Sequence, residues 1–219
     1  MSDQVCVIVG AGAGIGSAVA RRFAREGYQI VLLRRNQEAL DASVAELKKQ
    51  RAEAYGYTVD ASDNQSIERV FDHIKVEVGE PEVLVYNAAV IKPGYPSELD
   101  PDMLTNDLMV NVVGALTSAQ QVIHRMQENG HGTILFTGGG LALTPNPQYA
   151  SLAVGKAGLR SLCYSLAEEL TDEGVHVATV TIAGYVTPGS HFDPDLIAEK
   201  YWRLHTQPSE KWTVEIVYD

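Results

Sequence analysis

The chain is poor in cysteine, poor in basic charge and free of any long apolar run. Its two cysteines, Cys6 in a strand-like run and Cys163 in a helix-like one, read as buried free thiols, so a reducing compartment is expected. Seventeen Lys and Arg stand against 28 Asp and Glu, a formal charge of −11. That balance repels nucleic acid and anionic membrane surfaces, and a polyanion partner would need a local basic patch. No apolar stretch approaches the ~20 residues of a membrane span, and MSDQVCVIVG carries no charged leader ahead of an apolar signal core. A cytoplasmic protein with neither nucleic acid nor membrane as partner is the expectation. The six histidines (His73, His124, His131, His176, His191, His205) never fall at metal-ligand spacing, and no cysteine pair joins them, so no metal site is expected. No G-x-S-x-G elbow supports a hydrolase. Repeats, low-complexity tracts and linkers are missing too, which makes 1–219 one expected domain.

What is present is an alternation of short β-branched runs with helical periodicity. QVCVIVG (4–10), YQIVLLR (28–34), EAYGYTVD (53–60), EVLVYNA (82–88), GTILFTG (132–138) and VHVATVTIA (175–183) read as strands, and WTVEIVY (212–218) as a last one. Ile15, Val19 and Phe23 give the first helix its buried stripe, and Leu40, Val44 and Leu47 mark a second. Ile67, Val70, Phe71, Ile74 and Val78 mark a third, with Ser62 and Gln65 at capping-box spacing before it. Longer helices are expected over 102–128 and 148–171, and a short one near 194–204. Strands alternating with helices pair in parallel through right-handed crossovers, and continuously apolar strands belong to a sheet covered on both faces. The fold class is α/β, a doubly wound parallel sheet of about seven strands.

The first strand runs straight into GAGAGIG (10–16) and then a helix. Gly12, Gly14 and Gly16 keep side chains away from whatever approaches the helix N-terminus, where free amides and the helix dipole favour a phosphate. The motif lies between a strand and a helix at the start of a βαβ unit, the context a dinucleotide site requires, so the fold reads as Rossmann-like. A carboxylate closing strand two would bond a ribose 2′-hydroxyl. Arg34 and Arg35 stand there instead, and a guanidinium suits a 2′-phosphate, so NADP(H) is favoured over NAD(H).

Taken together these residues resemble the short-chain dehydrogenase/reductase family over roughly residues 4–190. Gly10, Gly14 and Gly16 are similar to its glycine motif, although Val9 replaces the usual threonine. Asp60, in TVDAS, matches the acidic residue that meets the adenine, and YNAA (86–89) looks like the Asn-Asn-Ala-Gly motif with its first Asn and its Gly replaced. Asn111, in VNVVG, matches the helix asparagine that supports the proton relay. Thr187 falls where a threonine often bonds the nicotinamide carboxamide, with Ala183 in place of that loop's usual proline. The resemblance implies an oxidoreductase acting on a small carbonyl or alcohol. It implies coenzyme contacts from Gly10, Gly12, Gly14, Ile15, Gly16, Arg34, Arg35, Asp60, Ala61, Asn87, Ala88, Lys156, Gly184, Val186 and Thr187. It also implies a homodimer or homotetramer built on the helices 102–128 and 148–171.

The chemical centre departs from the pattern. The family's Tyr-x-x-x-Lys pair opens the helix after strand five, with a serine 13 residues before the tyrosine. Lys156 and the following AGLRSL fit the lysine end, but four residues back stands Leu152, and 13 further back Gly139. Both hydroxyls are missing. Lys156 can still hold ribose hydroxyls, yet it has no phenol to tune, and a positioned general acid is worth ~10²- to 10⁴-fold in rate. Tyr149 is the first substitute, two helical turns before Lys156 on nearly the same face, and Tyr185, in the loop after strand six, is the second. Tyr95 comes from another loop at the same sheet edge, while Thr137 and Ser151 offer only weakly acidic hydroxyls. Residues 184–211 form a shortened substrate-loop region in which Tyr185, His191, Phe192, Tyr201 and Trp202 are expected to line or cover a pocket. Two readings remain: an NADP(H)-dependent oxidoreductase with a displaced acid, or a dinucleotide-binding protein that has lost turnover, such as a redox sensor or assembly subunit.

Overall fold

The seven apolar runs pair as one wholly parallel sheet in a computed structural model that describes residues 4–219. Strands are β1 Val5–Val9, β2 Gln29–Arg34, β3 Ala54–Thr58, β4 Pro81–Tyr86, β5 Gly132–Gly139, β6 Val175–Ile182 and β7 Glu215–Tyr218. Their spatial order is β3-β2-β1-β4-β5-β6-β7. Helices are α1 Ile15–Arg25, α2 Gln37–Lys49, α3 Asn64–Glu77, α4 Pro101–Leu108, α5 Gly114–Asn129, α6 Ala150–Leu170 and α7 Pro194–His205. Every residue of β1 and of β6 is buried, because a helical layer covers each face of the sheet. On one face Val19 and Phe23 of α1, Leu40 and Leu47 of α2 and Ile197, Tyr201 and Leu204 of α7 pack on the strands. On the other, Phe71 and Ile74 of α3, Val122 and Met126 of α5 and Leu159, Leu166 and Leu170 of α6 do the same. Cys6 and Cys163 are buried free thiols, as expected from their apolar settings.

Three local expectations need correction. The helix expected over 102–128 is two helices, α4 and α5, joined by one π turn at Met109–Val113. The amide of Gly114 reaches back five residues to the carbonyl of Met109. That wider turn lets Gly114 lie close against β4: a Cβ there would stand 2.7 Å from the Tyr86 hydroxyl. The cap of α3 is Asp63, whose carboxylate accepts from the Gln65 amide, whereas the Ser62 hydroxyl turns back to Asp60. Both residues are good caps, and Asp60 decides between them by taking the serine. The last strand begins at Glu215 and not at 212, since Trp212 stacks flat on His176, ring centres 4.7 Å apart.

Among the described residues no helix is long and apolar enough to cross a membrane.

Candidate active site

The strand order reverses beside β1, with β2 on one side and β4 on the other, and open α/β sheets hold ligands outside the carboxyl ends at such a point. There a cleft of about 300 Å³ opens between Gly10 and Gly12 after β1, Arg34 and Arg35 after β2, Asp60 and Ala61 after β3 and Asn87 and Ala88 after β4. The glycines do two different jobs. Gly10 has φ +87°, and a Cβ on it would lie 2.4 Å from the Ala88 amide nitrogen, so only glycine lets β1 and β4 approach so closely. Gly16 likewise has 2.9 Å to the Gly10 carbonyl. A Cβ on Gly12 or Gly14, in contrast, would meet nothing within 4 Å: the space beside them is open. No side chain caps α1 at Gly14, which leaves the first amides of the helix available to an anion beside half-buried Ile15. The turn itself is pinned by Ser17, whose amide and hydroxyl both donate to the Gly12 carbonyl at 3.0 and 2.8 Å.

Around that turn the flanking polar groups are fixed. The Asp60 carboxylate accepts the Ser62 hydroxyl at 2.7 Å and the Ser62 amide at 2.9 Å. These two bonds, with the Arg35 charge behind them, hold its carboxyl below the usual carboxylate range. Asn87 donates from Nδ2 to the Gly10 carbonyl at 2.7 Å, tying the end of β4 to the glycine turn. An uncapped helix, open glycines and a pair of guanidinium groups form a donor set suited to a phosphorylated dinucleotide.

Lys156 lies on α6 and is 8% exposed. Its Nζ donates to the Thr137 carbonyl at 2.5 Å, and burial lowers its pKa to about 8. Four residues before it Leu152 is 7% exposed, placing aliphatic carbon at that position. A Cβ on Gly139 would stand 3.5–3.6 Å from the Lys156 methylenes, an ordinary contact. Asn111 sits on the π turn, where its Oδ1 accepts from the Val90 amide at 2.8 Å. Its Nδ2 is buried without a partner, beside Gly155, where a Cβ would come within 2.7 Å of it.

The tyrosines are less closely gathered. Tyr149 caps α6 with a non-helical backbone, φ −130° and ψ 46°, and the Ala153 amide bonds to its carbonyl at 2.9 Å. Regular helix runs from Ala150 to Lys156, about 9 Å of axial rise, and Tyr149 lies one residue further still. Backbone bonds from Gly94 to Gln148 and from Ala150 to Gly94 join the loop after β4 to this helix start, and Gln148 donates to the Tyr95 hydroxyl. Tyr185 is 85% exposed. In the same loop the Gly184 backbone lies under the Phe192 ring, the Thr187 amide donates to the Phe192 carbonyl at 3.2 Å, and Val186 is partly exposed. His191 stacks on Tyr218 and bonds to the Asp219 carbonyl.

Two expected pocket residues belong elsewhere. Tyr201 is fully buried and bonds to the Thr137 hydroxyl, while Trp202 packs edge-on against Phe23 under the Arg22 guanidinium. Trp202 serves the seat of α7 on α1, and Tyr201 its seat on β5. The signal was available, since Ile197, Ala198, Tyr201 and Leu204 recur at helical spacing and Tyr201 falls within that stripe. Thr137 carries more than its sequence suggested, for it holds Lys156 by its carbonyl and Asn87 by its hydroxyl. The Ser151 hydroxyl is spoken for as well, donating to the buried Asp107 carboxylate at 2.6 Å.

Comparison with known proteins agrees with this geometry. The profile of the short chain dehydrogenase family matches residues 4–193. The chain is 28% identical over 180 residues to the 3-oxoacyl-[acyl-carrier-protein] reductase MabA of Mycobacterium avium, a match covering 82% of this chain and 66% of that one. It is 29% identical over 190 residues to the 2,3-dihydro-2,3-dihydroxybenzoate dehydrogenase of Bacillus subtilis strain 168, covering 87% and 70%. Each of these matches thus spans about two thirds of the relative's length. Among solved structures, a metagenomic short-chain oxidoreductase in complex with NADP superposes with a TM-score of 0.91 at 28% identity, over 99% of this chain and 97% of that one.

Proposed function

The chain belongs to the short chain dehydrogenase family, and from that membership we propose that it is an NADP(H)-dependent oxidoreductase of a small carbonyl or alcohol with a non-standard acid. The observation that carries the coenzyme choice is the cleft, where Arg34 and Arg35 flank an open glycine turn and no carboxylate closes β2. In this reading the open backbone at Gly12 and the free amides of Gly14 to Gly16, Ile15 included, grip the pyrophosphate, and the two guanidinium groups take the 2′-phosphate. Asp60 and Ala61 border the adenine, Asn87 and Ala88 the central part, and Gly184, Val186 and Thr187 the nicotinamide end. The solved relative with NADP bound supports the same choice. When bound, the nicotinamide gives or takes a hydride.

The chain's own chemical work then falls to few groups. Lys156 leaves the Thr137 carbonyl for the ribose hydroxyls and keeps its proton there, since a bonded hydroxyl offsets part of the cost of burying the charge. Asn111, with Nδ2 unspent, supports the proton path. Tyr149 is the first acid and Tyr185 the second, and residues 184–211 form the substrate loop. A homodimer or homotetramer through α5 and α6, in the cytoplasm, completes the reading, and light scattering would check the assembly.

A second reading has its own observation. Leu152 and Gly139 place no hydroxyl next to Lys156, which favours a dinucleotide-binding protein without turnover. NADPH titration by fluorescence, followed by a carbonyl panel, separates the two. The enzyme predicts tight NADPH binding and an oxidation rate above buffer that falls in Tyr149→Phe. Tight binding with no oxidation above buffer, unchanged in that variant, leaves the binding protein.

A further inference from the structure

Beneath the cleft a chain of side-chain hydrogen bonds crosses the sheet from α7 to the glycine turn. The hydroxyls of Tyr201 and Thr137 are 2.7 Å apart, Thr137 Oγ1 is 2.9 Å from Asn87 Oδ1, and Asn87 Nδ2 is 2.7 Å from the Gly10 carbonyl. Their direction follows from proton counting. The Gly10 carbonyl can only accept, so the Asn87 atom facing it is the NH₂ group and the atom facing Thr137 is the amide oxygen. That oxygen can only accept, so the single Thr137 proton points to it. Thr137 Oγ1 is then an acceptor toward α7, and the Tyr201 hydroxyl must be the donor. Burial raises the pKa of this phenol, so it keeps its proton across the working range.

We propose that Tyr201 and Thr137 are positioning residues for the coenzyme cleft, locking the Asn87 amide in one orientation and, through it, the carbonyl of Gly10. The proposal rests on the coenzyme reading above. Without Thr137 the amide could turn its oxygen toward the Gly10 carbonyl, where two acceptors would face each other and the turn would be displaced. The same residue carries Lys156 on its main-chain carbonyl, so the turn and the lysine share one support on β5. Three chain elements distant in sequence, α7, β5 and β4, thereby converge on the geometry of the motif after β1.

The test uses Tyr201→Phe, Thr137→Val and Thr137→Ser in the whole chain. One lost bond between neutral groups is worth about 0.5–1.5 kcal/mol, or roughly 2- to 13-fold in affinity. NADPH should bind about threefold more weakly to Tyr201→Phe and about tenfold more weakly to Thr137→Val. Thr137→Ser, which keeps the hydroxyl, should restore binding to near the wild-type value. The double variant should bind no worse than Thr137→Val alone, because both changes break one chain. A readout without coenzyme separates this proposal from the reading beneath it: in the free protein the Asn87 side-chain NH₂ resonances should shift in Tyr201→Phe and in Thr137→Val. Resonances unmoved in both variants, or NADPH affinity unchanged while only the melting temperature falls, would overturn it. Failure of the wild-type protein to bind NADPH would instead overturn the coenzyme reading.

Discussion

Along one edge of one sheet, the ends of β1 to β4 and the ends of β5 and β6 present two different inventories. Over β1 to β4 each position that a phosphorylated dinucleotide needs holds an apt group: two open glycines, an uncapped helix, two guanidinium groups, a pinned carboxylate and an asparagine bound to the turn. Over β5 and α6 the scaffold is equally well formed, with Lys156 buried, Asn111 on its π turn and β5 paired to β6 along its whole length. Gly139 and Leu152 carry no hydroxyl there, and under the proposed non-standard centre these are the two oxygen atoms it lacks. On the proposed function, the difference teaches that gripping a coenzyme and turning it over are separable properties. The first is built from backbone shape and diffuse charge, which many residues share. The second depends on single atoms, which one substitution can remove while every strand stays in place.

That contrast can be tested by repairing the deficient side. In Gly139→Ser/Leu152→Tyr, carbonyl reduction with NADPH should rise about 10²- to 10⁴-fold, the worth of a positioned acid. A Cβ at Gly139 would make only ordinary contact with Lys156. A double variant that folds, binds NADPH and gains nothing would mean the α6 side has lost more than two hydroxyls.

Next in size is a pH effect confined to that side. Burial lowers Lys156 from the ordinary 10.5 to about 8. Between those values the unfolded chain holds a proton that the folded chain has released, so this group's contribution to stability improves as pH rises through that window. The full difference is about 3 kcal/mol, by 1.36 kcal/mol per pH unit. Urea unfolding at pH 7.5 and pH 10.5 should show the wild type gaining relative to Lys156→Met, with NADPH absent. Equal pH profiles would mean that Lys156 is solvated.

On the coenzyme side the expected effects are smaller but more selective. Arg34→Ala/Arg35→Ala should weaken NADPH about 10- to 100-fold, the range for losing charged hydrogen bonds, and leave NADH nearly unchanged. An equal loss for both coenzymes would break the 2′-phosphate assignment. Smallest in stability is Gly12→Ala, which should unfold within ~0.5 kcal/mol of wild type because its new methyl meets no protein atom, yet still weaken NADPH. Its counterpart Gly10→Ala, with positive φ and Ala88 in the way, should lose about 2–4 kcal/mol in the same urea titration.

Most of the architecture was legible because its signals are local. Apolar runs bounded by turns marked the strands to within a few residues, and GAGAGIG between a strand and a helix marked the switch point. The π turn was not legible, since VNVVG keeps an apolar pattern and one widened turn changes no residue type. The choice of Asp63 over Ser62 as cap depended on Asp60, a neighbour in space as well as in sequence. In the site, the place of Gly10, Gly12, Arg34 and Arg35 at the cleft could be read from order alone. The roles of Thr137 and Tyr201 could not, because they arise where β5 and α7 meet, 64 residues apart. Aromatic residues near a ligand loop invited assignment to the pocket, and the helical stripe that buries Tyr201 outweighed their position.

The short parallel bridge between Gly94 and Tyr149 has a mechanical consequence. Its backbone bonds, Gly94 to Gln148 and Ala150 to Gly94, latch one rim of the crevice to the start of α6. Peeling that rim back would sacrifice both. The loop of Tyr185 is tied elsewhere, to the end of β7, where His191 stacks on Tyr218 and bonds to the Asp219 carbonyl, so the two loops would come loose at the cost of different contacts.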